Sequence, residues 1–441
     1  MRIGLMMSII VAFAGGGVLA QPKHGDLILT VDDFGNSRSQ NVVLVLDPRT
    51  GLYTTLLGSC ANHYLGTVRM APNNTDVAIP ATQAPGWWPC HLWYVSPLGV
   101  VTTAASVPSG SIEGMELDHD DSWIAVGMNY TASPIRSECW SVNNRSALVN
   151  TLFSRSGWGF IDMSINRDPA ASTYAIGYHT SLSTASTPKL FAANRNGIVR
   201  TIVQGIGNPL LTLTAFELDP TSGDYVVTQN QSAPSVSTVT DAGVQTTVAT
   251  GMQMANSVRL ARDRTFWVGA GLSTGSIGVY RLAPGGNTLT IIPISAFPAS
   301  RYTITGIEIY GSRTLVCDRV SSSTVNVRVQ SRHPWVQTGT QYALASSFAR
   351  RPGIRLAGGA WLNLDTSSPL FFASALGSLP AVFTNFQGTL TLNASNGLAT
   401  GSATVNIPSA VQGLGIPVFV AGVIFNQGGV FEVTNTHWFV L

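Results

Sequence analysis

The sequence predicts an all-β protein: a seven-bladed β-propeller, with six blades as the alternative, followed by a small β-sandwich. A short alternating core recurs six times, as Val68-Arg69-Met70, Met115-Glu116-Leu117, Met163-Ser164-Ile165, Phe216-Glu217-Leu218, Val258-Arg259-Leu260 and Ile307-Glu308-Ile309. The spacing is roughly that of one propeller blade. Charged residues make up only 10% of the 441, well below the usual quarter or so, and Gly, Ser, Thr, Ala and Val take their place. Apolar residues alternate with period two over short runs separated by turn signals, which fits strands and not helices. Repetition of one unit favours radial closure over two flat layers.

The elements follow in order. The first twenty residues read as a secretory signal, with Arg2 as the charged start, an apolar run from Ile3 to Val11, and Val18-Leu19-Ala20 fitting the small-residue cleavage rule. The mature chain is expected to begin at Gln21, outside the cytoplasm, secreted or periplasmic. No later run approaches the roughly 18 apolar residues of a membrane span; Ile416 to Phe425, the most apolar stretch, has strand length.

Residues 25–334 are assigned to the propeller and 335–441 to the sandwich. Each repeated core is a strand a, and a strand b follows it after a tight turn, as in Trp123 to Gly127 or Thr314 to Asp318. Strands c and d follow, as in Lys189 to Ala193 and Ile198 to Val203, joined by turns such as Asn194-Arg195-Asn196-Gly197 that supply the backbone angles hairpins need. The first unit opens directly on a b-type strand, Asp26 to Val31, so seven b strands stand against six a strands. Its missing strand must come from elsewhere if the ring closes. From about Pro334 the repeat stops and charged residues almost vanish. New strands are expected at Ala360 to Leu364, Leu370 to Ala373, Gly388 to Leu392, Gly401 to Ile407, Val418 to Phe425 and Val430 to Thr434.

A net charge of +2 with no basic cluster excludes nucleic acid and anionic membrane as natural partners, leaving an extracellular protein or a glycan. Of four cysteines none forms a C-x-x-C pair, which argues against zinc, and an even number in an oxidising compartment suggests disulfides. Cys60 and Cys90 fall on the same rim and are the preferred bridge. Cys139 is the rival partner for Cys90, and Cys317 reads as a buried thiol.

Candidate contact residues lie on the rim formed by the b–c and d–a connections, whose b–c loops are long in the first four units. Trp87, Trp88 and His91 flank Cys90; paired tryptophans stack on sugars or grip a partner, or else cover the core beneath. Asp32 and Asp33 form an acidic pair on the first rim loop, equally readable as a solvated turn, and His179 begins the fourth b–c loop. Glu113, Asp162 and Asn256 stand at the starts of three a strands, where their oxygens would converge on a hard cation such as calcium. Their offsets differ: Glu113 and Asn256 lie two residues before the core apolar position, Asp162 one. The polar position within strand a reads Arg69, Glu116, Ser164, Glu217, Arg259 and Glu308, an expected ion-pair collar. No H-E-x-x-H or G-x-S-x-G occurs, and no catalytic residue is assigned.

On the blade period and the turns Asp47 to Gly51 and Asp219 to Gly223, the N-terminal part resembles secreted bacterial propellers of the NHL/YncE-like kind. Arg351-Pro352-Gly353, the stretch from Phe383 to Leu390, Gly397-Leu398-Ala399, Val405-Asn406-Ile407-Pro408 and the closing Val433-Thr434-Asn435 are similar to a C-terminal domain of secreted proteins from planctomycete-like bacteria. The resemblance implies secretion and a β-sandwich, and carries no catalytic residue over. The expected function is non-catalytic binding. The alternatives are a metal-dependent hydrolase or lyase, lactonase-like or streptogramin-lyase-like, at the channel mouth, and a structural component of the cell surface.

Overall fold

A computed structural model describes residues 21–441 except 36–39, 61, 84–88, 119–121, 145, 157–158, 166–173, 179–188, 205–211, 220–221, 231–233, 241, 262, 284–287, 332, 334–335, 351, 357–359 and 395–396. The expected signal segment, Trp87, Trp88 and His179 lie outside the described residues.

The β-propeller is built from antiparallel sheets in a-b-c-d order. Blade 2 contains His63–Leu65 with Arg69–Met70, Val77–Gln83, Cys90–Val95 and Val101–Val107. Blades 3, 4, 5 and 6 begin with Gly110–Leu117, Phe160–Ile165, Thr212–Leu218 and Met254–Leu260. Blade 1 takes its strands b, c and d from Leu27–Asp33, Val42–Leu46 and Tyr53–Leu57, and its strand a from Tyr302–Ile309, at the far end of the ring's sequence. The strand missing from the first unit is therefore the last repeat core, and the chain locks the ring with it.

Strand alternation explains why the sheets need one another. Along Leu27–Asp33, Leu27, Leu29 and Val31 enter a core shared with blade 6, while Ile28 enters a core shared with blade 2. The remaining cores join blades 2 and 3, 3 and 4, 4 and 5, and 5 and 6. Each sheet is apolar on both faces and buries both only between neighbours, with a fully buried Val, Leu or Ile contributing about 1.5–3 kcal/mol.

The expected seventh blade is not found among the described residues. Its strands b and c, at Thr314 to Asp318 and Val325 to Val329, fall in Leu315–Ser321 and Thr324–Ser331, a hairpin paired with Leu398–Asn406. With Tyr302–Ile309 used to close blade 1, the hairpin has no strand a to extend, and it buries Leu315, Val325, Val327 and Val329 in the C-terminal core instead. That core lies between two sheets. One holds the hairpin, Leu398–Asn406, Phe383–Thr384 and Thr391–Asn393. The other holds Gln387–Thr389, Gln341–Ser347, Pro417–Asn426, Gly429–Val433 and His437–Val440. The strand expected at Leu370 to Ala373 is a helix, Pro369–Ala375, with proline in its first turn, where a missing N–H costs nothing.

The sandwich meets the a–b turn side of the ring. Arg313 donates its N–H to Asn74 Oδ1 at 3.0 Å and Gln330 Nε2 donates to the Pro72 carbonyl at 3.4 Å. Arg264 lies over the Trp361 ring, and His24 Nε2 sits 3.5 Å from Glu432.

The expected Cys60–Cys90 bridge is absent: none of the four cysteines is in a disulfide, and all four are buried. Cys60 packs in the core between blades 1 and 2, Cys90 in the core between blades 2 and 3. The two cores lie on opposite faces of blade 2, so a bridge would have to cross its sheet. Burial pushes both thiols up to about 12.

Candidate functional site

The a strands depart from regularity at one level. In blade 1 the register slips at Thr305, in blade 3 at Glu113, in blade 4 at Ile161, in blade 5 at Thr214 and in blade 6 at Asn256. Each slip is a β-bulge whose extra residue is unpaired in the ladder, a device that re-aims a side chain. Every one of these residues stands three before the charged or polar position of its strand. In blade 2 the equivalent residue is Gly66, where strand a is interrupted between Leu65 and Arg69.

Four of the bulge residues, Glu113, Thr214, Asn256 and Thr305, line one cavity of about 300 Å³, together with Tyr64, Asp162 and Thr303. Arg69 also lines it, as a member of the expected collar. Arg69 Nε is paired with Glu116, and Arg259 lies 3.2 Å from Glu116, 2.9 Å from Glu217 and 2.8 Å from Glu308. Burial raises the Glu217 carboxyl, against the pull of Arg259. The cavity lies at the starts of the a strands and the sandwich contacts lie beyond their ends, with the collar between.

The blades approach closely here. A Cβ on Gly306 would stand 2.6 Å from the Val68 nitrogen, and one on Gly114 would stand 2.6 Å from the Asp162 Cα. Hydrogen bonds cross the same gaps. Thr305 Oγ1 donates to the Leu65 carbonyl at 2.8 Å, Thr214 Oγ1 donates to the Ala255 carbonyl, and Glu308 accepts the Met70 N–H at 3.3 Å.

The three expected cation ligands thus share one cavity with different engagements. Asp162 Oδ2 accepts the Phe216 N–H of the next blade at 3.0 Å and Oδ1 accepts the Met163 N–H at 2.8 Å. Burial pushes its carboxyl up to about 7, opposed by Arg69 and the two N–H groups. Asn256 accepts from Asn230 Nδ2 and donates to Thr303 Oγ1. Glu113 accepts the Ser111 hydroxyl on Oε1 at 2.6 Å. Burial raises this carboxyl also, and Oε2 has no partner among the described residues. Calcium takes six to eight oxygens; the amide oxygen of Asn256 and both carboxylate oxygens of Asp162 already hold donors, so the set does not fit that ion as it stands. Among the described residues no group of three or more His, Cys, Asp or Glu is placed to hold a metal.

The other expected residues lie elsewhere. Asp32 and Asp33 end strand b of blade 1 and are buried, not solvated. Asp33 is held by Arg301 at 2.6 Å, and this guanidinium keeps its carboxyl below the usual range. The pair helps fasten the ring where its ends meet. His91 is in strand c of blade 2, with Nδ1 2.8 Å from Ser106 Oγ; burial and then His63 lower its basicity, and it does not line the cavity. Sequence reading missed Tyr64, Thr214, Thr303 and Thr305. The available signal for Thr214 and Thr305 was their position three residues before Glu217 and Glu308.

No protein-family model matches this sequence, and no curated protein matches it. Among solved structures, the chain is similar to one from a nidogen/laminin complex, at 14% identity and a TM-score of 0.47 over 64% of this chain and 97% of that one. It is similar to a gluconolactonase from Xanthomonas campestris, at 12% identity and 0.45 over 72% of this chain and 96% of that one. It is also similar to the periplasmic gluconolactonase of Pseudomonas aeruginosa, at 12% and 0.43 over 63% and 98%.

Proposed function

We propose that this chain is a non-catalytic binding protein, working outside the cytoplasm, whose propeller holds a small polar ligand in the cavity at the starts of its a strands. The carrying observation is the row of bulges: strand after strand turns its extra residue out of the ladder at one level, and four of those residues line the same cavity. Hydrogen bonds between blades hold the wall in shape before any ligand arrives, which lowers the ordering cost of binding. The ligand is a free small molecule or the exposed end of an extracellular glycan or protein. Secretion, the NHL/YncE-like resemblance of the ring and the planctomycete-type resemblance of the sandwich belong to this reading. So does attachment through the sandwich, which has no Lys, Arg, Asp or Glu between Asp365 and Glu432.

The placement of Glu113, Asp162 and Asn256 on one cavity favours a second reading, a metal-dependent hydrolase or lyase. One experiment separates them. The full chain is melted with and without calcium, alongside Glu113→Gln. The binding reading expects no calcium-dependent rise. A rise that Glu113→Gln abolishes favours the metal enzyme.

A further inference from the structure

We infer that the cavity recognises a primary ammonium group carried by a small organic molecule; the inference rests on the proposed binding role of the same cavity. Two features of the wall point to this chemistry. The first is charge. In and directly beneath the cavity, Arg69 and Arg259 face Glu113, Asp162, Glu116, Glu217 and Glu308, so carboxyl groups outnumber guanidinium groups by three. Burial raises Glu113, Asp162 and Glu217 because too little positive charge faces them, and a cation entering the cavity would supply the counter-charge that lets a carboxyl ionise.

The second feature is hydrogen-bond polarity. A hydroxyl has one proton and two lone pairs. The bulge threonines direct their protons outward, Thr305 to the Leu65 carbonyl and Thr214 to the Ala255 carbonyl, so toward a ligand they present lone pairs. Glu113 keeps Oε2 open, with Oε1 anchored by Ser111. A primary ammonium is the complement: three donors and no acceptor. It needs three acceptors, which Glu113, Thr214 and Thr305 supply from three blades. A calcium ion needs six to eight oxygens, and Asp162 and Asn256 have theirs engaged. A sugar hydroxyl would satisfy the acceptors and bring no positive charge to the buried carboxyls.

The test is calorimetric titration of the full chain with n-butylammonium, with butan-1-ol as the neutral isostere, tetramethylammonium as a cation lacking N–H donors, and calcium chloride. The expected result is binding of butylammonium about tenfold or more tighter than either organic control, since a charged hydrogen bond is worth that much. Glu113→Gln is expected to weaken butylammonium by at least a similar factor, after its melt confirms a folded ring. The comparison of the two organic cations uses the unaltered protein and so survives a misfolded variant. Equal binding of butan-1-ol or tetramethylammonium overturns the inference, as does preferential binding of calcium. If glucose binds in a manner sensitive to Thr214→Val while butylammonium does not, the ammonium assignment fails and the binding cavity stands. If no probe binds, both fall.

Discussion

Replacing Arg259 with methionine tests whether the collar holds the ring together by charge. The guanidinium reaches three glutamates at 3.2, 2.9 and 2.8 Å, and Glu308 is completely buried. Methionine keeps most of the length and none of the charge. Breaking a buried ionic contact by removing one partner costs about 3–5 kcal/mol, because the other charge remains buried and unpaired. Here three carboxylates would be left with Arg69, which contacts Glu116. The deficit should depend on pH. Burial already raises the Glu217 carboxyl and loss of Arg259 would raise it further, so its contribution is intact while it is protonated and is lost as pH climbs through the raised value. Urea unfolding followed by tryptophan fluorescence should therefore place Arg259→Met about 3–5 kcal/mol below the parent at neutral pH, with a gap that narrows in acid. A variant within about 1 kcal/mol of the parent, or a deficit unchanged by pH, would refute the collar's ionic role.

Three further outcomes are expected. Asp162 carries a carboxyl raised to about 7 from an ordinary 3.8, so its contribution is fully present below the ordinary value and lost as pH rises to 7. Asn cannot ionise, so Asp162→Asn should gain on the parent by an order of 4 kcal/mol between about pH 4 and about pH 8 in urea titrations. Gly306→Ala places a Cβ 2.6 Å from backbone of the next blade and should cost about 1–3 kcal/mol in the same assay, whereas Gly58→Ala, with nothing within 4 Å and no positive φ, should leave that steric term out. A chain ended at residue 334 retains the Leu315–Ser331 hairpin without its partner Leu398–Asn406 and should aggregate by light scattering, while one ended at residue 312 should stay soluble.

The repeat was legible because blades are apolar on both faces. Alternation such as that of Leu27, Ile28 and Leu29, which serve two different cores, leaves a period in the sequence. The collar was legible for a related reason: Arg69, Glu116, Glu217, Arg259 and Glu308 interrupt apolar strands at one register, and buried charges are tolerated when paired. The blade count was misread because Thr314 to Asp318 has the same local pattern as a blade strand, and nothing local reveals that its partner lies at Leu398–Asn406. The helix at Pro369–Ala375 was missed because a short apolar run fits either element. The disulfide was misplaced because a rim position says nothing about which face of blade 2 a side chain occupies.

The bulges left one trace in the sequence, and it was visible as a discrepancy. Glu113 and Asn256 precede their core apolar residues, Met115 and Val258, by two positions; Asp162 precedes Met163 by one. If all three were equivalent ligands the offsets should agree. They differ because the bulge residue of blade 4 is Ile161, and Asp162 is the next residue along. Its carboxylate turns to the Phe216 N–H of the following blade, while Glu113 keeps an oxygen open toward the cavity. A bulge breaks the period by a single residue, which in a sequence looks like the end of a strand, so the shared level of Glu113, Thr214, Asn256 and Thr305 appears only once the ladders are paired. The unequal offsets mark a difference in engagement: Asp162, one residue past the bulge, has both oxygens held by backbone N–H groups, whereas Glu113, at the bulge, has one oxygen held by Ser111 and one open.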